Sequence, residues 1–183
     1  GQVTKAGTDS LLITGANTTT GALNVNGSST LRFTNIYDKG TYTPFNVGIG
    51  YAISKDNGVS FQKPGEGPIL PYSLDEPFTL SGPKIRKFGD KYYLFYIAGK
   101  EWLIVNGKPE ISHKIRLAIS EDGLKWNKVN KDIIPNGWHD NEAQASPDVF
   151  YANGKYHMFF CGWVPSNFRE TKTRTIGYAY STD

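Results

Sequence analysis

One short strand pattern occurs three times in the 183-residue chain, and each copy runs into an acidic turn. The copies read Gly-Tyr-Ala-Ile-Ser at residues 50–54, Arg-Leu-Ala-Ile-Ser at 116–120 and Gly-Tyr-Ala-Tyr-Ser at 177–181. Repetition at a nearly constant spacing is typical of stacked or radial folds, in which neighbouring units bury apolar faces that one unit cannot cover alone. The repeat therefore predicts a modular architecture.

The turns after these strands share a serine and an aspartate at fixed spacing. The first reads Ser54-x-Asp56-x-Gly58-x-Ser60-Phe61 and resembles the Asp-box of β-propeller proteins. An aspartate in such a turn can cap backbone amides, glycine accepts a positive φ, and the aromatic side chain covers the edge of the sheet. We interpret these acids as structural.

A second repeated pattern precedes two of the three strands and predicts a β-hairpin. Residues 146–160 contain Ser-Pro-Asp, a short apolar strand, an Asn-Gly turn and an aromatic return strand, which places Asp148 at the mouth of the hairpin. Residues 80–96 repeat this pattern without the acid. With an outer strand near residues 61–63 or 126–129, each unit corresponds to a propeller blade of four antiparallel strands.

The predicted blades are not all complete. Residues 31–61 supply most of one blade without its inner strand, residues 80–129 supply a full blade, and residues 146–183 supply a third without its outer strand. Propellers typically close with four or more blades. We therefore expect a longer polypeptide, or a unit that other chains complete, such as a homo-oligomer.

The hairpin of residues 146–160 and the closing strand of residues 176–181 resemble the five-bladed β-propeller glycoside hydrolases of families 43 and 32. This resemblance covers about residues 29–183. It implies an all-β domain of about three partial or complete blades from a five-bladed propeller. It also implies a carbohydrate-active protein that cleaves or binds an oligo- or polysaccharide in the propeller funnel, by carboxylate acid/base chemistry if it cleaves.

Residues 1–28 differ from the rest in composition. Gly, Thr, Asn and Ser dominate, aromatic residues do not occur, and brief apolar islands at residues 11–13 and 22–25 predict a short β arm. Residues 13–27 resemble the repeating strands of phage tail-fibre shafts. That resemblance implies a fibre-like structural or receptor-binding protein as an alternative function.

Composition narrows the other possibilities. Aromatic residues make up 14% of the chain, and 20 Gly and 10 Pro supply many turns, which favours an all-β fold. The net charge of +3 arises from scattered residues without a basic block, so we expect no nucleic-acid partner. No apolar run approaches the roughly 20 residues of a membrane helix, and the start does not resemble a signal peptide. We expect a soluble chain, and its localisation stays open.

The resemblance implies that acids on the innermost strands carry the function. Glycosidases use two carboxylates, because the leaving oxygen is protonated while the opposite face of the sugar is attacked or stabilised. Asp148 aligns with the inner-strand aspartate that orients such a pair, and we expect Glu142 to be the general acid or a hydroxyl acceptor in the same cleft. Ser81 replaces the glutamate of the family's Glu-Gly-Pro in the preceding blade. This departure supports the alternative of a non-catalytic glycan-binding module.

Further residues near these acids are predicted to contact the substrate. They are Asp75, Glu76, Trp138, His139, Gln144 and Arg169. Trp138 offers a ring for sugar stacking, and Arg169 is expected to pair with Glu142 or Asp148 and lower the pKa of that carboxyl. His, Cys and acidic residues nowhere have metal-ligand spacing, so we expect no bound metal and no cofactor.

Overall fold

The computed structural model describes residues 47–183 and, nearer the amino terminus, the backbone of four three-residue strands. The chain forms two compact units, Gly1–Pro44 and Phe45–Asp183. The domain boundary predicted near residue 28 stays a prediction, because residues 26–30 lie outside the described ones.

The amino-terminal unit contains two parallel strand pairs. β1 (Val3–Lys5) pairs with β3 (Leu23–Val25), and β2 (Leu11–Ile13) pairs with β4 (Leu31–Phe33). β4 pairs within this unit with a segment 20 positions earlier, and the assignment of residues 31–33 to a propeller blade stays a prediction. The resemblance to fibre shafts stays a prediction.

The carboxy-terminal unit contains two antiparallel sheets. The four-stranded sheet has the order β5 (Leu80–Phe88), β6 (Lys91–Val105), β7 (Lys108–Ser120) and β8 (Asn127–Lys128). The three-stranded sheet contains β9 (Ala143–Ala152), β10 (Lys155–Trp163) and β11 (Thr175–Ser181), with the short helix α1 (Phe168–Thr171) before β11. Both sheets have the strand order predicted for blades, so the all-β prediction is confirmed.

Asn-Gly turns join the long strands. Asn106 and Gly107 connect β6 to β7, and Asn153 and Gly154 connect β9 to β10. All four residues have positive φ, between 51° and 75°. This is the type I′ geometry, whose twist matches that of the flanking strands. The turn predicted within residues 146–160 is therefore confirmed.

Each inner strand has a bulge directly before a proline. Gly82 in β5 has φ 58° and precedes Pro83, and Ser146 in β9 has φ 52° and precedes Pro147. The pairing register shifts at both places. Glycine adopts a positive φ at little steric cost, whereas the Cβ of serine makes the same conformation unfavourable. The two hairpins thus share a bulge, and only the one that carries Asp148 is strained there.

Two of the apolar clusters in the carboxy-terminal unit contain most of its buried hydrophobic residues. The first combines the segment before β5 with one side of the four-stranded sheet and contains Ile49, Leu70, Leu80, Leu94, Tyr96, Ala98 and Ala118. The second lies between the two sheets and contains Phe95, Ile115, Ile134, Val149, Met158 and Phe160. Successive strand residues point to opposite faces, so the neighbours Leu94 and Phe95 belong to different clusters.

The other side of the three-stranded sheet exposes aromatic side chains. The Phe159 ring lies 6.3 Å from that of Phe150 and 5.4 Å from that of Tyr178, measured between centroids. In the internal repeat, Phe159 corresponds to Phe95, which the three-stranded sheet covers. The exposed aromatic side is therefore the counterpart of a side that is buried in the neighbouring sheet.

Residues 47–79 pair only through isolated bridges. Ile53 pairs with Gln62, and the strand predicted at residues 50–54 is reduced to this single bridge. Within the part of the chain that the structure describes, no neighbouring strand continues the Ile53–Gln62 bridge into a ladder.

The Ser-x-Asp turns have the expected capping geometry. Asp56 accepts hydrogen bonds from the Ser54 hydroxyl at 2.6 Å and the Ser60 amide at 2.9 Å, and Asp122 accepts from the amides of Leu124 and Lys125, both at 2.8 Å. The hydroxyls of Ser54 and Ser60 and the Ser60 amide lower the pKa of Asp56 to about 2. The capping role expected for these acids is confirmed.

Truncating Phe160 tests the contact between the sheets. Phe160→Ala should lower the free energy of unfolding by about 3–5 kcal/mol, because a buried ring is replaced by a cavity. Urea denaturation measures the change. Phe61→Ala is the matched control, since Phe61 is 65% exposed and its truncation should lower the free energy of unfolding far less. Equal losses in the two variants would contradict the assigned core.

Candidate functional site

Asp148 lies on β9, the inner strand of the three-stranded sheet. Its side chain is 59% exposed, and its residue pairs across the sheet with Phe159 of β10. On the same strand, Val149 points the other way into the apolar cluster between the sheets. Because side chains alternate between the two faces of a strand, Val149 is buried while the Asp148 carboxylate stays accessible.

Arg86 of the adjacent inner strand, β5, supplies the cation for Asp148. One guanidinium nitrogen forms an ion pair with the Asp148 carboxylate. The Arg86 Nε donates to the Val149 carbonyl at 2.8 Å, and Nη1 donates to the Ile85 carbonyl at 2.9 Å. Because two backbone carbonyls fix the guanidinium plane, the charge is held beside Asp148 in one orientation.

Arg86 was not among the predicted site residues. In the alignment of the two hairpins, Lys84 corresponds to Asp148, and Arg86 lies two residues further along the same strand. Residues two apart on a strand share a face, so the repeat predicts a cation close to the strand position that Asp148 occupies in the sister hairpin. That Arg86 crosses to the neighbouring sheet depends on how the sheets pack, which the sequence pattern does not specify.

The strained bulge beside the acid gives a stability prediction. Ser146→Gly should raise the free energy of unfolding by about 1 kcal/mol, because glycine removes the steric cost of φ 52°. The reciprocal change Gly82→Ser should lower it by a similar amount. Thermal or urea unfolding measures both changes. If Ser146→Gly instead lowers the free energy of unfolding, the serine side chain contributes more to stability than the positive φ of its backbone costs.

Glu142 is placed differently from Asp148. It is fully buried just before β9, where Oε2 accepts hydrogen bonds from the amides of Gly137 at 2.7 Å and Trp138 at 3.2 Å. Its Oε1 accepts from the Gln144 side-chain amide at 2.6 Å. The carboxylate therefore binds its own preceding loop, and neither it nor Asp148 lines the cavity between the two sheets or the smaller one beside Trp138 and Trp163.

Lys114 of β7 completes the surroundings of Glu142. Its ammonium donates to the Glu142 carbonyl at 2.6 Å and to the side chain of Asn136. Burial lowers the pKa of Lys114, and the negative charge of Glu142 partly opposes this. The fully buried Gln144 also donates to the Ile134 carbonyl at 3.3 Å. These contacts tie residues 134–142 to the sheets.

The balance of forces on Glu142 lowers its pKa. Burial raises it, but the hydrogen bonds from Gln144, Gly137 and Trp138 and the charge of Lys114 together outweigh burial. A general acid needs a pKa raised towards the working pH. The observed surroundings therefore suit an ionised, loop-holding carboxylate.

Removing this charge should destabilise the protein in a pH-dependent way. Glu142→Gln should lower the free energy of unfolding at pH 7 by about 1–3 kcal/mol, because the amides lose a charged acceptor. Because the pKa of Glu142 is lower in the folded protein than the unfolded value of about 4.5, the ionised carboxylate stabilises the fold above about pH 4.5. This stabilisation is lost as the pH falls through the folded-state pKa. The difference in the free energy of unfolding between wild type and variant should therefore shrink below about pH 4.5.

Urea unfolding between pH 7 and pH 3 measures this gap. Glu121→Gln is the control, because the Glu121 side chain is 86% exposed and lies 4.0 Å from its partner Lys91. A gap that stays constant with pH would contradict the assigned role of Glu142.

The loop before β9 positions two other predicted residues. Trp138 is about half exposed and stacks on Phe160, with ring centroids 6.3 Å apart and planes 16° apart. Gly162 lets the indole lie against β10, because a Cβ there would meet Trp138 at 2.2 Å. His139 is exposed, and its Nδ1 accepts from the Asn141 amide at 3.0 Å.

Arg169 does not pair with either predicted partner. It lies on α1 and forms an ion pair with Glu110 of β7. The prediction that Arg169 pairs with Glu142 or Asp148 is wrong, because Glu142 is buried among its own loop contacts and Asp148 is held by Arg86.

The two acids before β5 have different surroundings. Asp75 is exposed in a turn, whereas Glu76 is completely buried. Glu76 accepts a hydrogen bond from the Tyr96 hydroxyl at 2.9 Å and forms ion pairs with Lys128 and, at 3.7 Å, Arg116. This carboxylate binds three side chains of the four-stranded sheet, an arrangement suited to a structural role.

Residues 47–183 and the four amino-terminal strands contain no group of three His, Cys, Asp or Glu side chains that could hold a metal ion. Within the same part of the chain, no helix is long and apolar enough to cross a membrane.

Sequence comparison relates the chain to longer proteins of undefined role. No protein-family model matches it. Proteins MT1551 and Rv1502 of two Mycobacterium tuberculosis strains, both described as uncharacterized, are 35% identical to it over 118 residues. The match takes in 64% of this chain and 38% of each relative. The chain thus spans well under half the length of these proteins.

Similar solved structures are glycoside hydrolases. The protein BT0996, solved as a complex with RGII, superposes with a TM-score of 0.53 at 23% identity, and the match covers 72% of this chain and 35% of BT0996. The Bombyx mori GH32 beta-fructofuranosidase BmSUC1 superposes with a TM-score of 0.51 at 25% identity, covering 70% and 26%. The predicted fold, antiparallel sheets arranged as partial propeller blades, is confirmed by this likeness.

Proposed function

We propose that the chain is the glycan-contacting part of a glycoside-hydrolase-like protein, with Asp148 and Arg86 as the residues that touch the sugar. The observation that carries this proposal is the accessible ion pair between two adjacent inner strands. A carboxylate accepts hydrogen bonds from sugar hydroxyls, and a neighbouring guanidinium donates to sugar oxygens. An adjacent pair of this kind can bind two neighbouring hydroxyls at once.

The structural neighbours support carbohydrate as the ligand class. One BmSUC1 structure is of a mutant in complex with sucrose and superposes with a TM-score of 0.50 at 25% identity. In this chain the accessible inner-strand acid is Asp148, and the neighbouring inner strand β5 contributes a cation. The chemistry that fits this pair is recognition of a neutral sugar rich in hydroxyl groups.

Recognition is better supported than hydrolysis by this chain alone. Hydrolysis needs a proton donor as well as a second carboxylate. Glu142, the predicted donor, is buried and has a lowered pKa. Its role as general acid stays a prediction, and so do the substrate contacts expected of Asp75, Glu76, Trp138, His139 and Gln144.

Two substitutions test the sugar-binding pair. Asp148→Asn and Arg86→Gln should each weaken binding of the best oligosaccharide ligand by about tenfold or more, because each removes a charged hydrogen-bonding partner. Isothermal titration calorimetry measures binding, after a screen of fructo-oligosaccharides, arabino-oligosaccharides and bacterial glycans. Reducing-sugar release from the same panel tests for cleavage.

Glu121→Gln serves as the control, since it removes an exposed carboxylate in the turn after β7, outside the Arg86–Asp148 pair. Wild-type binding in this control, together with loss in both site variants, supports the proposal. Retained affinity in Asp148→Asn would place the glycan elsewhere. Failure of wild type to bind any glycan would overturn the proposed function.

A further inference from the structure

A small cavity of about 250 Å³ lies at one end of the three-stranded sheet, between the loop before β9 and the connection from β10 to β11. Two indole rings and several uncharged polar side chains line it, among them Trp138, Trp163, Asn167, Thr171, Thr173 and Thr175. Sites for drug-sized ligands measure roughly 300–1,000 Å³, so this volume suits one small ring. The cavity therefore combines flat apolar surface with hydroxyl groups.

Trp138 supplies an accessible indole to this cavity. Its ring stacks on that of Phe160, with centroids 6.3 Å apart, and 47% of the residue remains exposed. The ring also lies against Gly162, where no side chain displaces it. The indole is thus held in place by the sheet, and its exposed surface can receive the apolar C–H face of a sugar ring.

Three threonines present hydrogen-bond acceptors around the cavity. Thr171 Oγ1 donates to the Asn167 carbonyl at 3.2 Å, Thr173 Oγ1 donates to the Thr171 carbonyl at 3.1 Å, and Thr175 Oγ1 donates to the Gly162 carbonyl at 3.2 Å. A hydroxyl group has one proton and two lone pairs. Each threonine has therefore committed its proton to the protein and keeps acceptor capacity for the hydroxyl groups of a ligand.

Arg174 places a cation beside the cavity. It lies between two of the lining threonines in sequence, and its guanidinium carbon is 4.8 Å from the centroid of the Trp163 ring and 5.0 Å from that of Phe168. Arg169 of the same connection pairs with Glu110, whereas Arg174 has no carboxylate partner in the part of the chain that the structure describes. Stacking on the rings orients the guanidinium and leaves its N–H groups for a ligand.

The four-stranded sheet supports this site from behind. The ring of His113, on β7, lies 5.8 Å from the Trp163 ring between centroids. Glu110, also on β7, holds α1 through its ion pair with Arg169. The residues that line the cavity all lie between positions 138 and 175. The site thus depends on the packing of the two described sheets, and the backbone edge of β11 takes no part in it.

We infer that this cavity binds one sugar unit that carries a carboxylate, a uronic acid, with its ring on Trp138 and its carboxylate on Arg174. A carboxylate accepts two parallel hydrogen bonds from a guanidinium, which fixes its orientation. The threonine oxygens accept hydrogen bonds from the ring hydroxyls. The excess of 20 basic over 17 acidic residues in the chain has the sign that attracts an acidic ligand.

This site differs from the Arg86–Asp148 pair in position and in charge. Asp148 pairs across the sheet with Phe159, and Gly162 lies three residues further along β10, about 10 Å away along the strand. At the pair, the protein's own carboxylate repels an acidic sugar, whereas no charged side chain lines the cavity. The inference therefore goes beyond the proposed function, and either can fail without the other.

Methyl glucuronide and methyl glucoside of the same anomer test the inference, because they differ only in a carboxylate that replaces a hydroxymethyl group. Heteronuclear NMR of the isotope-labelled full chain resolves the indole N–H signals of its four tryptophans, which single substitutions to phenylalanine assign. The glucuronide should shift the signals of Trp138 and Trp163 saturably, at concentrations at least about tenfold lower than the glucoside. The signals of Trp102 and Trp126, which do not line the cavity, should not move.

A pair of charge-removing variants tests the role of Arg174. Arg174→Gln should lower the affinity for the glucuronide by about tenfold, to that of the glucoside. Lys155→Gln is the matched control, because Lys155 also lies over a ring, 4.5 Å from the centroid of Tyr180, at the other end of the sheet. It removes the same charge and should leave binding unchanged. Circular dichroism checks that both variants keep their β structure.

Several results would overturn the inference: equal shifts by glucuronide and glucoside, equal losses in the two variants, or no binding at all. A carboxylate of the amino-terminal residues that occupied Arg174 would appear as absence of binding, since the full chain is used. Acetate supplies the carboxylate without the ring, and shifts equal to those of the glucuronide would reduce the site to bare anion attraction. If Arg174→Gln does not fold, the wild-type comparison of the two sugars decides.

Asp148→Asn separates this inference from the proposed function. The glucuronide shifts of Trp138 and Trp163 should persist in this variant, and their loss would contradict a separate site. If the wild type binds no oligosaccharide but the glucuronide still shifts both signals, the proposed function fails and the inference stands. If oligosaccharides bind through Asp148 and Arg86 but the glucuronide shifts neither signal, the inference fails alone.

Discussion

Packing of one sheet against the other determines where the candidate site forms. Phe95 and Ile115 of the four-stranded sheet meet Val149, Met158 and Phe160 of the three-stranded sheet. Within the three-stranded sheet, the Phe160 ring lies over its cross-strand neighbour Gly177, where a Cβ would lie 2.4 Å from the ring. The contact between the sheets brings β5 and β9 side by side, and only then can Arg86 reach the Val149 carbonyl and Asp148.

Buried charges fix the segments around this core. Glu76 is held by Tyr96, Lys128 and Arg116, and Arg116 also pairs with Asp132 at 2.6 Å. Burial and the charge of Glu76 raise the pKa of Tyr96, so its hydroxyl remains a donor. Removing one partner from such a network leaves an uncompensated charge, which costs more than the intact pair contributes. Glu76 and Glu142 are thus buried acids that hold neighbouring segments, whereas Asp148 is accessible.

The repeat made much of the fold predictable. Strand order, the Asn-Gly turn and the capping aspartates follow from local patterns, because turn chemistry and side-chain alternation act over a few residues. Residues 31–33 pair as β4 with a segment 20 positions earlier, and their assignment to a blade stays a prediction. The strand prediction failed at residues 50–54, where one bridge forms in place of a strand.

The site was less predictable than the fold, for a physical reason. Asp148 could be selected because it differs from its counterpart in the sister hairpin. Its partner Arg86 lies 62 residues away in sequence, whereas the predicted cation, Arg169, pairs with Glu110. The burial of Glu142 depends on the loop at residues 137–138 folding back over it, and no spacing rule encodes that.

The order of strands within the sheets has a consequence for how the chain folds. Every pairing from β5 to β8, and from β9 to β11, joins strands that are consecutive in sequence. Contacts between sequence neighbours close small loops at low entropic cost, whereas joining the two sheets closes larger ones. Each sheet can therefore assemble as a local meander, and the slower step is the docking that creates the Arg86–Asp148 pair. The candidate site thus forms late, as a product of docking between two preformed sheets.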